Sequence, residues 1–153
     1  SLVDSIPVLD NPICIKEDNL QRLWVLSSGN SQNNISSSIS IINPQTREII
    51  NTFSLANNES SASSLRINNS TNEVYFLNKH VYKINSINET NPELIWINTG
   101  ENFYNLEIDP YNNDIYLTNA RDYVQNGALI VLDNQGNFKG EYDTQIIPKS
   151  IVF

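Results

Sequence analysis

The sequence predicts an all-β protein built from a repeated four-stranded unit. No apolar pattern recurs at helical spacing over a long window, whereas short runs rich in Ile, Val, Tyr, Trp and Phe recur throughout, bounded by Asn, Asp, Pro, Gly and Ser. Those runs fall into four strand types that return in the same order along the chain. The composition agrees with this, because 25 Asn and 17 Ser stand against five Gly and no Met. Asn and Ser favour turns and strand ends over helix interiors.

The first unit, 11–55, opens with Ile13, Cys14 and Ile15, turns through KEDNLQR and continues in LWVL at 23–26. A polar run at 27–38 leads to the third strand at 39–42, and NPQTRE turns the chain into the fourth at 49–53. The second unit, 62–98, repeats this with Leu65, Arg66 and Ile67, the turn NNSTNE, VYFL at 74–77, a short connection at 78–80, and strands at 81–84 and 94–97. The third, 103–143, has Leu106, Glu107 and Ile108, the turn DPYNND, IYLT at 115–118, and strands at 129–132 and 138–142 joined by DNQGN. A further strand of the first type is expected at 149–153, on Ile151, Val152 and Phe153. The turn segments are dense in residues that accept tight-turn geometry, so each hairpin is locally encoded.

Four short strands every 40 to 50 residues are the signature of a β-propeller blade. The expected fold is therefore a β-propeller fragment, three four-stranded antiparallel blades plus one extra strand, forming a single domain over 1–153. Propellers close with four to eight blades, so three leave two open faces that need a cover. The sequence begins at Ser1 and has no Met, which leads us to expect the C-terminal half of a larger propeller, with the remaining blades or a second copy covering those faces.

Seventeen Asp plus Glu against nine Lys plus Arg, a formal net charge of −8 and no basic cluster argue against nucleic-acid binding and against anionic membrane surfaces. The longest aliphatic run, ALIVL at 128–132, is far shorter than the ~20 residues of a membrane-crossing helix. The lone Cys14 cannot form an intrachain disulfide and reads as a small buried hydrophobe. The N-x-S/T triplets at Asn34, Asn58, Asn68, Asn69 and Asn88 are what an Asn- and Ser-rich chain yields by chance.

The second-strand segments LWVLS, VYFLN and IYLTN, the last above all, resemble the repeat of the YVTN family of β-propellers. The stretch 101–153 is similar to the end of the surface-layer-type propellers of Bacteroidetes, a family of unknown function. It has N-F-Y-x-L, D-P-x-N-x-D-I-Y, a D-Y-V-x-x-G loop, a D-x-x-G-x turn and a closing I-P-x-x-x-x-F. LWVLSSG and FLNKHVYKI match the two preceding blades of that family. The resemblance implies an extracytoplasmic propeller of about seven blades, at the cell surface or in the periplasm, usually a lipoprotein. Some relatives of this kind capture cobalamin and pass it to an outer-membrane transporter, so corrinoid or glycan capture is the expected function. Cys14, in DNPIC, does not look like the lipid-bearing cysteine of such proteins.

His80 is the only histidine, so a two-His metal site cannot form within the chain, and there is no G-x-S-x-G elbow. DPYNND and DNQGN carry oxygen ligands without EF-hand spacing and read as self-capped turns. No catalytic residue, metal or cofactor is assigned. In a propeller, the loops joining second to third strands (27–38, 78–80, 119–127) and fourth to first strands (57–64, 99–104, 144–148) converge on one mouth of the channel. Arg121, Asp122 and Tyr123, with Asn102, Tyr104 and His80, are the candidate ligand-binding residues, and Phe103 is divided between site and core. Aromatic faces beside amide and guanidinium donors suit an amide-rich or sugar-like ligand. The reading is a non-enzymatic binding protein. Its rivals are a protein-protein scaffold and a propeller lyase or hydrolase whose catalytic residues lie mostly outside this chain.

Overall fold

A computed structural model describes residues 5–55 and 62–153. Twelve strands form three four-stranded antiparallel sheets, with a single short 3₁₀ turn at Ser31–Asn33 as the one helical element among the described residues. The first sheet contains β1 (Pro12–Glu17), β2 (Leu23–Ser27), β3 (Ser38–Asn43) and β4 (Glu48–Ser54). The middle sheet contains β5 (Ala62–Ile67), β6 (Val74–Asn78), β7 (His80–Ile84) and β8 (Glu93–Trp96), and the third contains β9 (Phe103–Ile108), β10 (Ile115–Asn119), β11 (Ala128–Leu132) and β12 (Phe138–Asp143). Each sheet is a simple meander in which sequence neighbours pair.

The turns after β1, β5 and β9 are built alike, for a reason visible in the sequence. Asp18, Asn68 and Asp109 stand at equivalent positions and accept hydrogen bonds from main-chain N–H groups two residues on, at Leu20, Ser70 and Tyr111, each at 2.8–2.9 Å. The left-handed residues these turns need are Gln21, Asn72 and Asn113, two of them the residue type most tolerant of positive φ. Neighbouring turns are stitched together: Asn68 Nδ2 donates to Asn113 Oδ1 at 2.9 Å, and Asn19 donates to the Asn69 carbonyl.

The core lies between the sheets, and the period-two alternation of strands dictates which residue faces which neighbour. In β6, Val74 and Phe76 pack against Trp24, Leu26 and Ile39 of the first sheet, while Tyr75 and Leu77 pack against Leu106, Ile115 and Leu117 of the third. The middle sheet thus buries both faces, which is why VYFL at 74–77 carries no charged or small polar residue. Arg66 Nε on β5 donates to Glu107 Oε2 on β9 at 2.7 Å, tying those two strands together beside the apolar layer. Trp24 is buried, and its Nε1 donates to Asp18 Oδ2 at 2.9 Å. Trp96 is half-buried and stacks on Phe138 with centroids 6.1 Å apart.

Two expectations are corrected. Cys14 is half-buried rather than fully buried: it lies on β1, an edge strand of the first sheet, at the margin of the core shared with the middle sheet, and its Sγ points to the Leu65 carbonyl at 3.9 Å. Residues 149–153 form no strand. Its last residue, Phe153, nevertheless meets Tyr116 of the third sheet edge-on with centroids 5.1 Å apart. The reason is that a strand needs a hydrogen-bonded neighbour as well as a surface to pack on, and among the described residues no strand outside the three sheets is there to supply one. Deleting residues 151–153 should therefore lower stability by no more than about 1 kcal/mol, the scale of one aromatic contact. Urea unfolding checks this, and a loss as large as a core truncation would show that the segment is paired in solution.

Candidate functional site

At the end of the sheets that carries the second-to-third loops, a cleft of about 410 Å³ opens between the middle and third sheets. It is bounded by the tight connection at Lys79, the β8–β9 connection at Asn98, Glu101 and Asn102, the start of β9 at Phe103, and Tyr123 of the β10–β11 loop.

An asparagine frame fixes its walls. Asn98 Oδ1 accepts from Gly100 N and Glu101 N, both at 2.8 Å, and its Nδ2 donates to the carbonyls of Lys79 and Glu101, both at 2.9 Å. All the hydrogen-bonding capacity of that amide is engaged in shaping the connection. Asn119 Oδ1 accepts from Asn102 N at 3.2 Å and Arg121 N at 2.8 Å, and Asn102 Nδ2 donates to the Arg121 carbonyl at 2.5 Å. The loop of β10–β11 is thereby anchored to the strand connection beside it. Glu101 is held by Thr99, whose main-chain N donates to Oε2 at 2.8 Å.

The loop 119–127 has an unusual backbone. Arg121 and Tyr123 both adopt left-handed conformations, at φ 49° and 67°, which a bulky side chain takes only where its surroundings impose it. The imposition is visible: Tyr123 N donates to the Ala120 carbonyl at 2.9 Å, and Asp122 Oδ1 accepts from Val124 N and Gln125 N at 3.0 and 2.9 Å. Those main-chain bonds hold the Asp122 carboxyl below its ordinary range. The result puts the Tyr123 ring at the cleft, 48% exposed, in an edge-to-face contact with Tyr104, which is 41% exposed; the centroids are 6.2 Å apart at 70°. Neither tyrosine hydroxyl has a hydrogen-bond partner among the described residues.

The six candidates therefore divide. Tyr123 and Asn102 line the cleft and Tyr104 stands against Tyr123. Arg121 turns away: its guanidinium bonds Glu141 Oε1 at 2.8 Å and Asp143 Oδ1 at 3.1 Å on β12, contacts that raise its pKa. Asp122 caps its own turn and does not pair with Arg121. His80 lies behind the wall, where its Nδ1 accepts from Asn98 N at 3.0 Å, so it supports the connection and does not line the cleft. Phe103 both lines the cleft and packs on the core between the middle and third sheets. Residues 57–61 of the first fourth-to-first connection lie outside the described residues.

Asn98 and Glu101 were not legible as site residues. The only signal was the turn composition of NTGEN, which marks a connection without showing that its side chains frame a cleft. Among the described residues no group of three or more His, Cys, Asp or Glu side chains could hold a metal ion, and no helix is long and apolar enough to cross a membrane. Compared with known proteins, the chain matches no family profile and no curated sequence.

Proposed function

We propose that the three sheets are successive blades of a β-propeller and that the cleft beside Tyr123 captures a neutral, polar, ring-shaped ligand of the carbohydrate class, without chemical conversion. The observation that carries this is the Tyr104–Tyr123 pair. Two half-exposed rings, one fixed by a left-handed backbone, offer apolar faces and free hydroxyls at the mouth of a cleft. Sugars present apolar C–H faces and hydroxyl edges, and aromatic rings with polar tips match both.

Capture is favoured over catalysis by the way the polar groups are engaged. Asn98, Asn102 and Glu101 are bonded to their own backbone and to Thr99, so they shape the cleft and do not stand ready to move a proton. Its size suits one or two sugar rings. An extracytoplasmic setting, which the resemblance to surface-layer-type propellers implies, is where such a ligand would be met, and handover to an outer-membrane transporter belongs to the same reading.

The test is a calorimetric titration of a panel of neutral mono- and oligosaccharides, with cyanocobalamin included, against the wild-type chain and Tyr123→Ala. A saturating glycan whose affinity falls about tenfold in Tyr123→Ala, the ~1.4 kcal/mol scale of one stacking contact, is the expected result. Arg121→Gln should leave affinity within about twofold, since its guanidinium faces β12. Glycan binding insensitive to Tyr123, or corrinoid binding alone, would overturn the carbohydrate assignment.

A further inference from the structure

Between the first and middle sheets, at the end opposite the cleft, lies a second pocket of about 330 Å³. Three segments build it: the β1–β2 turn with Arg22 running into β2 at Trp24, Asn72 of the β5–β6 turn, and the β7–β8 connection that begins at Ile84 and includes Ile87 and Asn88. The chain itself holds these walls together. Asn19 N donates to Asn72 Oδ1 at 3.3 Å, and Asn51 Nδ2 of β4 donates to the Ile87 carbonyl at 2.7 Å.

The polar groups left over in this pocket are donors. Arg22 bonds Asp18 through Nε alone, at 2.7 Å, and its side chain is 17% exposed; neither Nη nitrogen has a partner among the described residues. Arg66 and Arg121 differ, because their Nη nitrogens bond the chain's own acceptors, at Leu65, Asn105, Glu141 and Asp143. The Nδ2 groups of Asn72 and Asn88 are likewise without a partner among the described residues. In a chain of net charge −8, no carboxylate lines this pocket and one guanidinium does. The acidic groups next to it are engaged: Asp18 in its turn, and Glu89 and Glu93 on Asn85 N and Nδ2 at 3.2 and 3.4 Å. We propose that the pocket binds a small organic monocarboxylate. Its carboxylate takes the planar Nη fork of Arg22, which matches two oxygens at once, with the Asn72 and Asn88 amides as further donors. Its apolar body lies against Trp24, Ile84 and Ile87. A dianion such as phosphate would meet a guanidinium already shared with Asp18 and would leave the apolar wall unused. The site is separate from the carbohydrate cleft and does not rest on reading the sheets as blades.

The probe is benzoate, with benzamide as its uncharged counterpart and inorganic phosphate as an anion without an apolar body. Trp24 lines the pocket and its Nε1–H bonds the same Asp18 oxygen as Arg22 Nε, so its indole N–H resonance reports binding. The chain has two Trp, and Trp96→Phe assigns the resonance. Benzoate should shift the Trp24 signal to saturation, and benzamide should bind at least about tenfold more weakly, having lost the charge-assisted pair. Asn88→Asp, at an exposed position, should weaken benzoate about tenfold through like charge while leaving Tm within about 2 °C. Arg22→Lys, which keeps a cation beside Asp18 but not the fork, should weaken it as well. A benzoate response that does not saturate, that benzamide reproduces, or that Asn88→Asp leaves unchanged would overturn the proposal. Saturation by phosphate in preference to benzoate would overturn it too, in favour of an inorganic-anion site.

Discussion

Phe76→Ala should cost about 3–5 kcal/mol, the range for truncating a fully buried aromatic. Phe76 has no exposed surface, stacks on Tyr82 with centroids 5.3 Å apart and 11° between planes, and sits between two sheets held apart by the other buried side chains around it, among them Trp24, Leu26 and Leu65. The cavity therefore persists and its cost adds to the lost transfer energy. Against a total stability of about 5–15 kcal/mol for a domain of this kind, the variant is left close to its unfolding threshold. Urea unfolding followed by far-UV circular dichroism measures the change. Leu94→Ala, on the exposed strand β8, should change stability by less than about 0.5 kcal/mol. Equal effects from the two would contradict the assignment of the middle sheet as the sandwiched one.

Replacing Asp18 by Asn is expected to be nearly as damaging, at about 2–3 kcal/mol. The carboxylate accepts from Leu20 N at 2.9 Å and Arg22 N at 3.0 Å on one oxygen, and from Arg22 Nε at 2.7 Å and Trp24 Nε1 at 2.9 Å on the other. An amide can satisfy only one side, because its NH₂ then faces the donors of Arg22 and Trp24. The pH dependence carries a second signature. Burial pushes the Asp18 carboxyl upward, but the hydrogen bonds from Trp24 and Arg22 outweigh it and hold the group below its ordinary value of 3.8. A lowered folded-state pKa means that the unfolded chain takes up the proton first. The stabilisation from Asp18 is thus complete above about pH 4 and is lost as pH falls through the folded-state value. Stability curves of wild type and Asp18→Asn should run parallel from pH 8 to 5 and converge below pH 4. Curves that stay parallel down to pH 3 would remove Asp18 from the acid transition.

Tyr75 is placed by the same kind of contrast between local pattern and packing. Its alternation in VYFLN marks it as facing one sheet or the other, but only the packed third sheet explains why its hydroxyl is buried beside Glu73, 3.0 Å away, and why both effects push its pKa upward. The unfolded chain ionises this group first as pH rises, so folding weakens through and above pH 10.

Strand identity, the order of four strand types and the turn positions came from local chemistry: alternating β-branched and aromatic runs, and Asp or Asn where a turn caps itself. Asp18, Asn68 and Asp109 cap their turns as the Asp- and Asn-rich turn segments imply. What required tertiary structure was everything that depends on a neighbour. Ile151, Val152 and Phe153 have the pattern of a strand but form none, and of the three it is Phe153 whose ring meets Tyr116, while Val152 is exposed. Arg121 has the composition of a binding residue and is held by Glu141 and Asp143, while Asn98, anonymous in a connecting turn, frames the cleft. Periodicity and turn chemistry act over a few residues and are written in the sequence. Hydrogen-bond partners across sheets, the fate of an edge and the shape of a cleft depend on which segments meet, and that is decided only when the sheets stack.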